Sequence, residues 1–242
     1  IAGRVRTDSV VTRVEHRAGC IERVAVRHGG HSEYWRAEDF ISSLPLPVLV
    51  SRLWPAPPPA VLAAAGRLHY RDLLLVAVRL ARERVTDQTW IYIPGREFSC
   101  GRVHEPKNWS PQMGTAGQTL LVTEHFCCRT GGVWQTDDQA LIGRTVDELV
   151  ALGLIRHADV LDGVVVRVPF AYPLFEVGYA QASRIITDYL AGFANLHVVG
   201  RTGTFRYYNM DHAIESGLDA AHAVLARLGA PRAVLPRTGT DA

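Results

Sequence analysis

The stretch from Leu196 to Leu228 constrains the fold more than any other part of the chain. Leu196-His197-Val198-Val199 reads as a short buried strand, and Gly200-Arg201-Thr202-Gly203 interrupts it. The aromatics Phe205, Tyr207 and Tyr208 follow. A helix is predicted from about Met210 to Leu228, with Ile214, Leu218, Ala221 and Leu225 on one face. The two glycines let backbone approach a ligand closely, and Arg201 offers a planar fork for a phosphate. Asn209 can cap the helix, whose free N–H groups attract an anion. The plainer alternative is an ordinary strand-to-helix turn with a surface arginine, and residue chemistry alone leaves both open.

Upstream of this stretch the second half also alternates helix and strand. Asp137-Asp138 opens a helix through Leu152, with Leu141, Ile142, Val146, Leu149 and Val150 at helical spacing and Gly153 as its stop. Val160 to Val168 reads as a strand and Gly178 to Phe193 as a helix. The first half is strand-rich. Val10, Val11 and Val14 share one β-branched run, and Ile21, Val24 and Val26 form the next. Gly19 and Gly29-Gly30 mark turns, and Tyr34 to Ile41 returns toward Pro45 as a β-meander. Leu46 to Trp54 and Ala60 to Leu68 read as helices separated by the prolines of Pro55 to Pro59. The apolar run from Tyr70 through Val78 is ambiguous between strand and helix. Thr89 to Ile93, Cys100 to His104 and Thr119 to Phe126 read as strands. The chain is therefore of mixed α and β class, and 242 residues suffice for one large domain or two small ones.

Charge and cysteine usage remove several function classes. A net charge of +2 with scattered arginines gives no footprint for nucleic acid or an anionic membrane. No apolar run reaches the length of a membrane span. Cys20, Cys100, Cys127 and Cys128 lack the spacing of a disulfide framework, so reduced thiols in a cytoplasmic protein are expected. His125 lies near Glu124 and Cys127 without a second ligand pair, which favours a core histidine over a metal site. Asp137 and Asp138 read as helix-start carboxylates, and Ser42-Ser43 lacks a nucleophile-elbow context. The chain opens on Ile1-Ala2-Gly3 without an initiator Met, which reads as a truncation.

The run Gly200-Arg201-Thr202-Gly203-Thr204-Phe205-Arg206-Tyr207-Tyr208-Asn209-Met210-Asp211 resembles the C-terminal FAD-binding motif of the flavin amine oxidase and protoporphyrinogen oxidase superfamily, in its UDP-galactopyranose mutase-like branch. The resemblance implies an α/β fold: the C-terminal part of an FAD/NAD(P)-binding Rossmann-like domain, with an inserted mixed-sheet substrate domain. It implies FAD as cofactor, with Gly200, Arg201 and Gly203 along the FAD chain and Asn209, Met210 and Asp211 by the flavin edge. A helix N-terminus there would stabilise an anionic reduced flavin by up to about 1–2 kcal/mol. Val5 to Leu46 is similar to the meander that closes the family's FAD domain, where the Val11 backbone would meet the adenine; a plain core valine fits that position equally. Ala171-Tyr172-Pro173 ahead of Gly178-Tyr179 resembles the pattern before the family's last helix. The implied division is a meander over 1–46, a substrate-facing domain over 47–168, a C-terminal FAD segment over 169–230 and a tail over 231–242. The family's strand–Gly-x-Gly-x-x-Gly–helix does not occur in this sequence. That half is expected upstream of Ile1, which leaves this chain with one wall of the site.

Within the substrate-facing part, Trp90, Tyr92, Arg102, Asn108 and Trp109 are the polar and aromatic candidates. Cys100 to Glu105 resembles a mutase-branch strand that brings an arginine near the flavin, which would let Arg102 bind an anionic substrate group. A salt-bridged surface arginine is the alternative. Tyr207 matches a tyrosine that touches substrate phosphate in the mutases, and a buried core aromatic is its alternative. The expected function is an FAD-dependent oxidoreductase that moves a hydride from a small organic substrate to flavin. A redox-neutral mutase is the runner-up, favoured by the Arg201 to Tyr207 run, although Asn209 stands where the mutases carry aspartate. A third possibility is a binding module that has lost its flavin.

Overall fold

A computed structural model describes residues 5–229 and resolves two compact units, one holding residues up to His69 and from Tyr172, the other Tyr70–Ala171. The Ile1 to Gly3 opening and the tail expected over 231–242 lie outside the described residues.

The first unit begins with the expected meander, Ser9–Arg17 (β1), Cys20–His28 (β2) and His31–Trp35 (β3), paired antiparallel. Gly29 and Gly30, both at positive φ, make the two-residue turn whose twist matches a right-handed hairpin. The return strand expected from Tyr34 to Ile41 is divided. Its second part, Phe40–Ser42 (β4), leaves the meander for another sheet. Leu46–Arg52 (α1) buries Leu46, Leu49 and Val50. It stops before the predicted end because Pro55 holds the residue ahead of it extended, and Leu53–Trp54 (β5) pairs parallel with β1. Pro59–Ala65 (α2) starts on its proline, which presets φ for the first helical turn.

The second unit is a five-stranded sheet under one helix. The ambiguous run from Tyr70 is a long strand, His69–Leu80 (β6), in which Leu73, Leu74, Val76, Ala77 and Val78 are all buried. Burial on both faces erases the alternation that would have identified it. Ile91–Tyr92 (β7), Arg102–His104 (β8) and Thr119–Cys127 (β9) are strands, the first two shorter than predicted. Gly132–Gln135 (α3) is a single turn, and Asp138–Ala151 (α4) carries the predicted apolar face. The Asp137 carboxylate caps α4 by accepting from the backbone of Gln139 and Ala140 at 2.9 and 3.3 Å. Val160–Leu174 (β10) joins the sheet beside β6, in the order β10-β6-β9-β8-β7. The core joins Leu74, Val76 and Val78 of β6 to Leu121, Leu141 and Leu149.

His125 is a core histidine, 3% exposed, as its strand position implied. Its ring nitrogens meet Ser99 Oγ at 3.2 Å and Thr123 Oγ1 at 2.9 Å, and Ser99 also donates to Glu148 of α4 at 2.9 Å. Burial pushes the His125 imidazole below the ordinary histidine range, against the pull of Glu148.

The chain then returns to the first unit through Tyr179–Leu190 (α5), which packs on α2. Leu196–Val198 (β11) is half-buried rather than buried and pairs in parallel with β4: Leu196 with Phe40, His197 with Ile41, Val198 with Ser42. Gly200–Thr204 (α6) is a helical turn where a loop was expected. The Thr204 hydroxyl closes it by donating to the Gly200 carbonyl at 2.8 Å. Met210–Arg227 (α7) follows. Its predicted apolar face is wrong in orientation: Ile214 is 58% exposed and Leu218 36%, while Ala220 is the buried residue.

Asn195 fastens β11 to the meander. Its side chain accepts from Ile21 N at 2.8 Å and donates to Ile21 O at 2.9 Å and Glu38 O at 3.1 Å, while its carbonyl accepts from Phe40 N at 2.9 Å. Asn195→Ala should therefore lower unfolding free energy by about 3 kcal/mol in urea melts, because buried peptide groups lose their partners. His125 generates a second expectation. Its folded-state pKa lies below its unfolded one, so acid protonates the unfolded chain first, and stability falls as pH drops through about 6.5. Urea melts between pH 7 and 5 should show that slope, and His125→Gln should flatten it.

Candidate functional site

The segment that joins β11 to α7 gathers a left-handed glycine, a cation and two tyrosine rings in the first unit. Gly200 sits at φ +76°, a left-handed conformation that an L side chain would strain. Its N–H donates to Ser216 Oγ of α7 at 3.0 Å, and Ser216 in turn donates to Ala213 O at 2.8 Å. Arg201 donates from Nε to the carbonyl of Tyr208 at 2.6 Å. Its guanidinium lies over the ring of Tyr172 at 4.8 Å and over that of Tyr207 at 5.4 Å, and the two tyrosines stack with centroids 5.8 Å apart. The terminal nitrogens of Arg201 make no hydrogen bond or ion pair with another described residue. A half-buried guanidinium fixed at one edge, with its fork unspent, has a donor geometry that matches a planar or phosphate anion.

Gly203 is buried for a different reason. A Cβ there would lie 3.2 Å from Ser42 O and 3.3 Å from Val198 Cγ1, so its bare backbone lets α6 close onto β4 and β11. Thr202 reinforces the contact by donating to Ser43 O at 2.9 Å. Asn209 occupies the N-cap of α7, but its side chain makes no capping hydrogen bond, which corrects the expectation of an Asn cap. The first N–H groups of α7 thus lack intrahelical partners, and Met210, 79% exposed, and Asp211 stand at this open end. Tyr207 is 58% exposed and is no core aromatic. Val11 lies half-buried in β1 opposite Val26, next to a register shift.

Gly200, Arg201, Gly203 and Tyr207 are thus brought together, with Asn209, Met210 and Asp211 directly following. Two contributors were not expected in the site from sequence, where Tyr172 figured only in the Ala171-Tyr172-Pro173 pattern. Tyr172 is distant in the chain, and Ser216 sits mid-helix among unremarkable neighbours. The spacing from Gly200 to Ser216 carries no motif, so only the fold reveals the pairing.

In the second unit Arg102 is ion-paired with Glu124, a carboxylate 3% exposed, and its guanidinium lies over Trp90 at 4.4 Å. The Glu124 charge is therefore already compensated. Trp90, His104 and Trp109 pack ring to ring with centroids 4.6 to 5.4 Å apart. Tyr92, at the sheet edge, is 69% exposed. Asn108 is structural: its amide donates to Thr86 O at 2.8 Å and Gln88 O at 2.9 Å. Burial pushes the Cys100 thiol up to about 11, which leaves it inert as a nucleophile. Among the described residues, no group of three or more His, Cys, Asp or Glu could hold a metal ion, and no helix is long and apolar enough to cross a membrane.

The residues at the β11–α7 junction fit an anionic cofactor chain. Gly200 has open space where a side chain would project, its nearest neighbour being Ser43 Cβ at 3.9 Å, with the unspent Arg201 fork beside it and an uncapped helix N-terminus nearby.

A family model described as flavin containing amine oxidoreductase matches residues 2–225. No curated protein sequence matches the chain. Among solved structures, the fold is similar to that of a reduced UDP-galactopyranose mutase, with a TM-score of 0.76, 18% identity and coverage of 93% of this chain. It is also similar to an Exiguobacterium sp. 255-15 protein assigned as a protoporphyrinogen oxidase, with a TM-score of 0.65, 14% identity and 91% coverage. The chain spans only 46% and 47% of those two proteins. With the mixed sheets, the parallel β4–β11 pair and the glycine–arginine turn in place, the chain belongs to the flavin containing amine oxidoreductase family, whose cofactor is FAD.

Proposed function

We propose that this chain supplies the C-terminal wall of the FAD site of an oxidoreductase that moves a hydride from a small organic substrate to the flavin. The observation that carries the reading is Arg201, held at Nε by Tyr208 O and flanked by Tyr172 and Tyr207, with its outer fork unspent. Gly200 and Arg201 line the cofactor chain, and Gly203 serves by letting α6 seat against β4. Asn209, Met210 and Asp211 present the α7 N-terminus to the flavin edge, and Val11 meets the adenine through its backbone. FAD, when bound, accepts the hydride. The chain's own residues bind, orient and neutralise charge.

The unit Tyr70–Ala171 is the substrate-facing part on this reading, with Arg102 and the Trp90–Trp109 cluster at its polar, aromatic end. Because Glu124 already compensates Arg102, that arginine takes an anionic substrate group only by sharing its fork with the carboxylate. Tyr207 is the other residue assigned to substrate on this reading.

One observation favours a second reading, a redox-neutral mutase acting on a phosphate-bearing sugar. The Arg201–Tyr172–Tyr207 cluster places one cation and two phenol rings together, which suits a substrate phosphate as well as a cofactor phosphate. The two readings separate in the flavin spectrum of the protein, produced with whatever its reading frame encodes upstream of Ile1. On the oxidoreductase reading, anaerobic addition of a substrate amine bleaches the absorbance of bound flavin. A colour that persists with every amine but shifts with a sugar nucleotide favours the mutase, and a colourless protein that ignores added FAD contradicts both. Tyr207→Phe should raise KM with little change in kcat if its hydroxyl contacts substrate uniformly.

A further inference from the structure

Beside the Arg201 cluster, and sharing only Tyr207 with it, a groove of about 520 Å³ runs along the outer face of α5. Tyr179, Ser183, Arg184 and Asp188 line it at helical spacing, so the lining face is about 13 Å long. The opposite wall is Phe205, Arg206 and Tyr207. At one end three aromatic rings pack together, with Phe175 4.6 Å from Tyr179 and 5.9 Å from Phe205, centroid to centroid. Phe205 is 2% exposed, but Phe175 is 45% exposed and offers a ring to the groove.

Arg184 and Arg206 both line this concavity, and neither makes an ion pair or side-chain hydrogen bond with another described residue. Asp188 lies one turn beyond Arg184 and is likewise unpaired. An arginine pair left without carboxylate partners in a concave wall backed by aromatic rings concentrates positive potential, and a guanidinium fork matches a phosphate bidentately. The exposed ring of Phe175 adds a stacking surface for a planar group, and Asp188 can accept from a hydroxyl.

We infer that this groove is a second binding site, for a phosphate ester that carries a planar ring and hydroxyl groups, separate from the Arg201 cluster. Arg184 and Arg206 hold the phosphate, Phe175 and Tyr179 stack the ring, and Asp188 takes a hydroxyl. The inference stands on the groove alone and does not depend on FAD occupying the Arg201 region.

Titration of the chain with AMP, followed by calorimetry, tests it. The expected result is saturable binding that weakens by about tenfold or more in Arg184→Gln and in Arg206→Gln, with Arg201→Gln within about twofold of the unmodified protein. Adenosine, which lacks the phosphate, should bind about tenfold more weakly than AMP to the unmodified protein, a comparison that needs no variant. Both arginines are exposed and unpaired, so the variants should keep their circular dichroism spectrum. Absence of saturable binding overturns the inference. So does binding indifferent to Arg184 and Arg206, and so does binding lost with Arg201→Gln, which would assign the ligand to the Arg201 cluster.

Discussion

A parallel ladder of three residues a side cannot hold itself, yet the whole Arg201 region hangs from one. The β4–β11 pair is a two-stranded sheet among the described residues, far short of what stands alone in water. Asn195, immediately ahead of β11, stabilises it from the side: two side-chain hydrogen bonds reach Ile21 of β2 and a third reaches Glu38 O, just ahead of β4. Asp39 adds a second clamp at the same end of the ladder, just ahead of β4. Its carboxylate accepts from His197 Nε2 of β11 at 3.1 Å and from Arg227 at the end of α7, and the Arg227 hydrogen bond holds it below the usual carboxylate range. These two clamps hold the start of β11, and Val199 N–H, donating to Ser42 O at 2.9 Å, carries the ladder to the point where Gly200 turns.

From that fixed point the geometry of Arg201 follows. Gly200 adopts its left-handed conformation, Ser216 takes its N–H, and Arg201 leaves the strand toward Tyr208 O. The guanidinium is thereby covered by the pair of stacked tyrosine rings and anchored at Nε, while its outer edge keeps its donors. Such a cation loses little conformational entropy when it meets an anion, because the protein has already ordered it. The absence of an Asn209 side-chain cap works in the same direction, since it leaves the α7 N–H groups for something else to satisfy.

Much of this was legible in the sequence, and the failures have physical causes. The strand–glycine–arginine–aromatic–helix order placed Gly200, Arg201 and Tyr207 together because all lie within eight consecutive residues, where spacing translates into space. Tyr172 and Ser216 were missed because their contacts depend on long-range return of the chain. The β6 run stayed ambiguous because burial on both faces removes period-two alternation. The helix end at Arg52 was misjudged because the effect of Pro55 reaches back to the residues before it. The α7 face was misassigned because its close contacts use small residues, Ala213, Ser216 and Ala220, which hydrophobic periodicity does not register. The Met210, Ile214 and Leu218 stripe stands outward.

The most direct test of the central claim is an FAD titration followed by flavin absorbance, comparing the protein, with whatever its reading frame encodes upstream of Ile1, against its Arg201→Gln and Ser216→Ala forms. The account predicts tight binding by the parent, about tenfold or greater weakening in Arg201→Gln from the lost charge-assisted contact, and a smaller loss in Ser216→Ala. Equal FAD affinity in all three would contradict it, and would place the cofactor away from the β11–α7 junction.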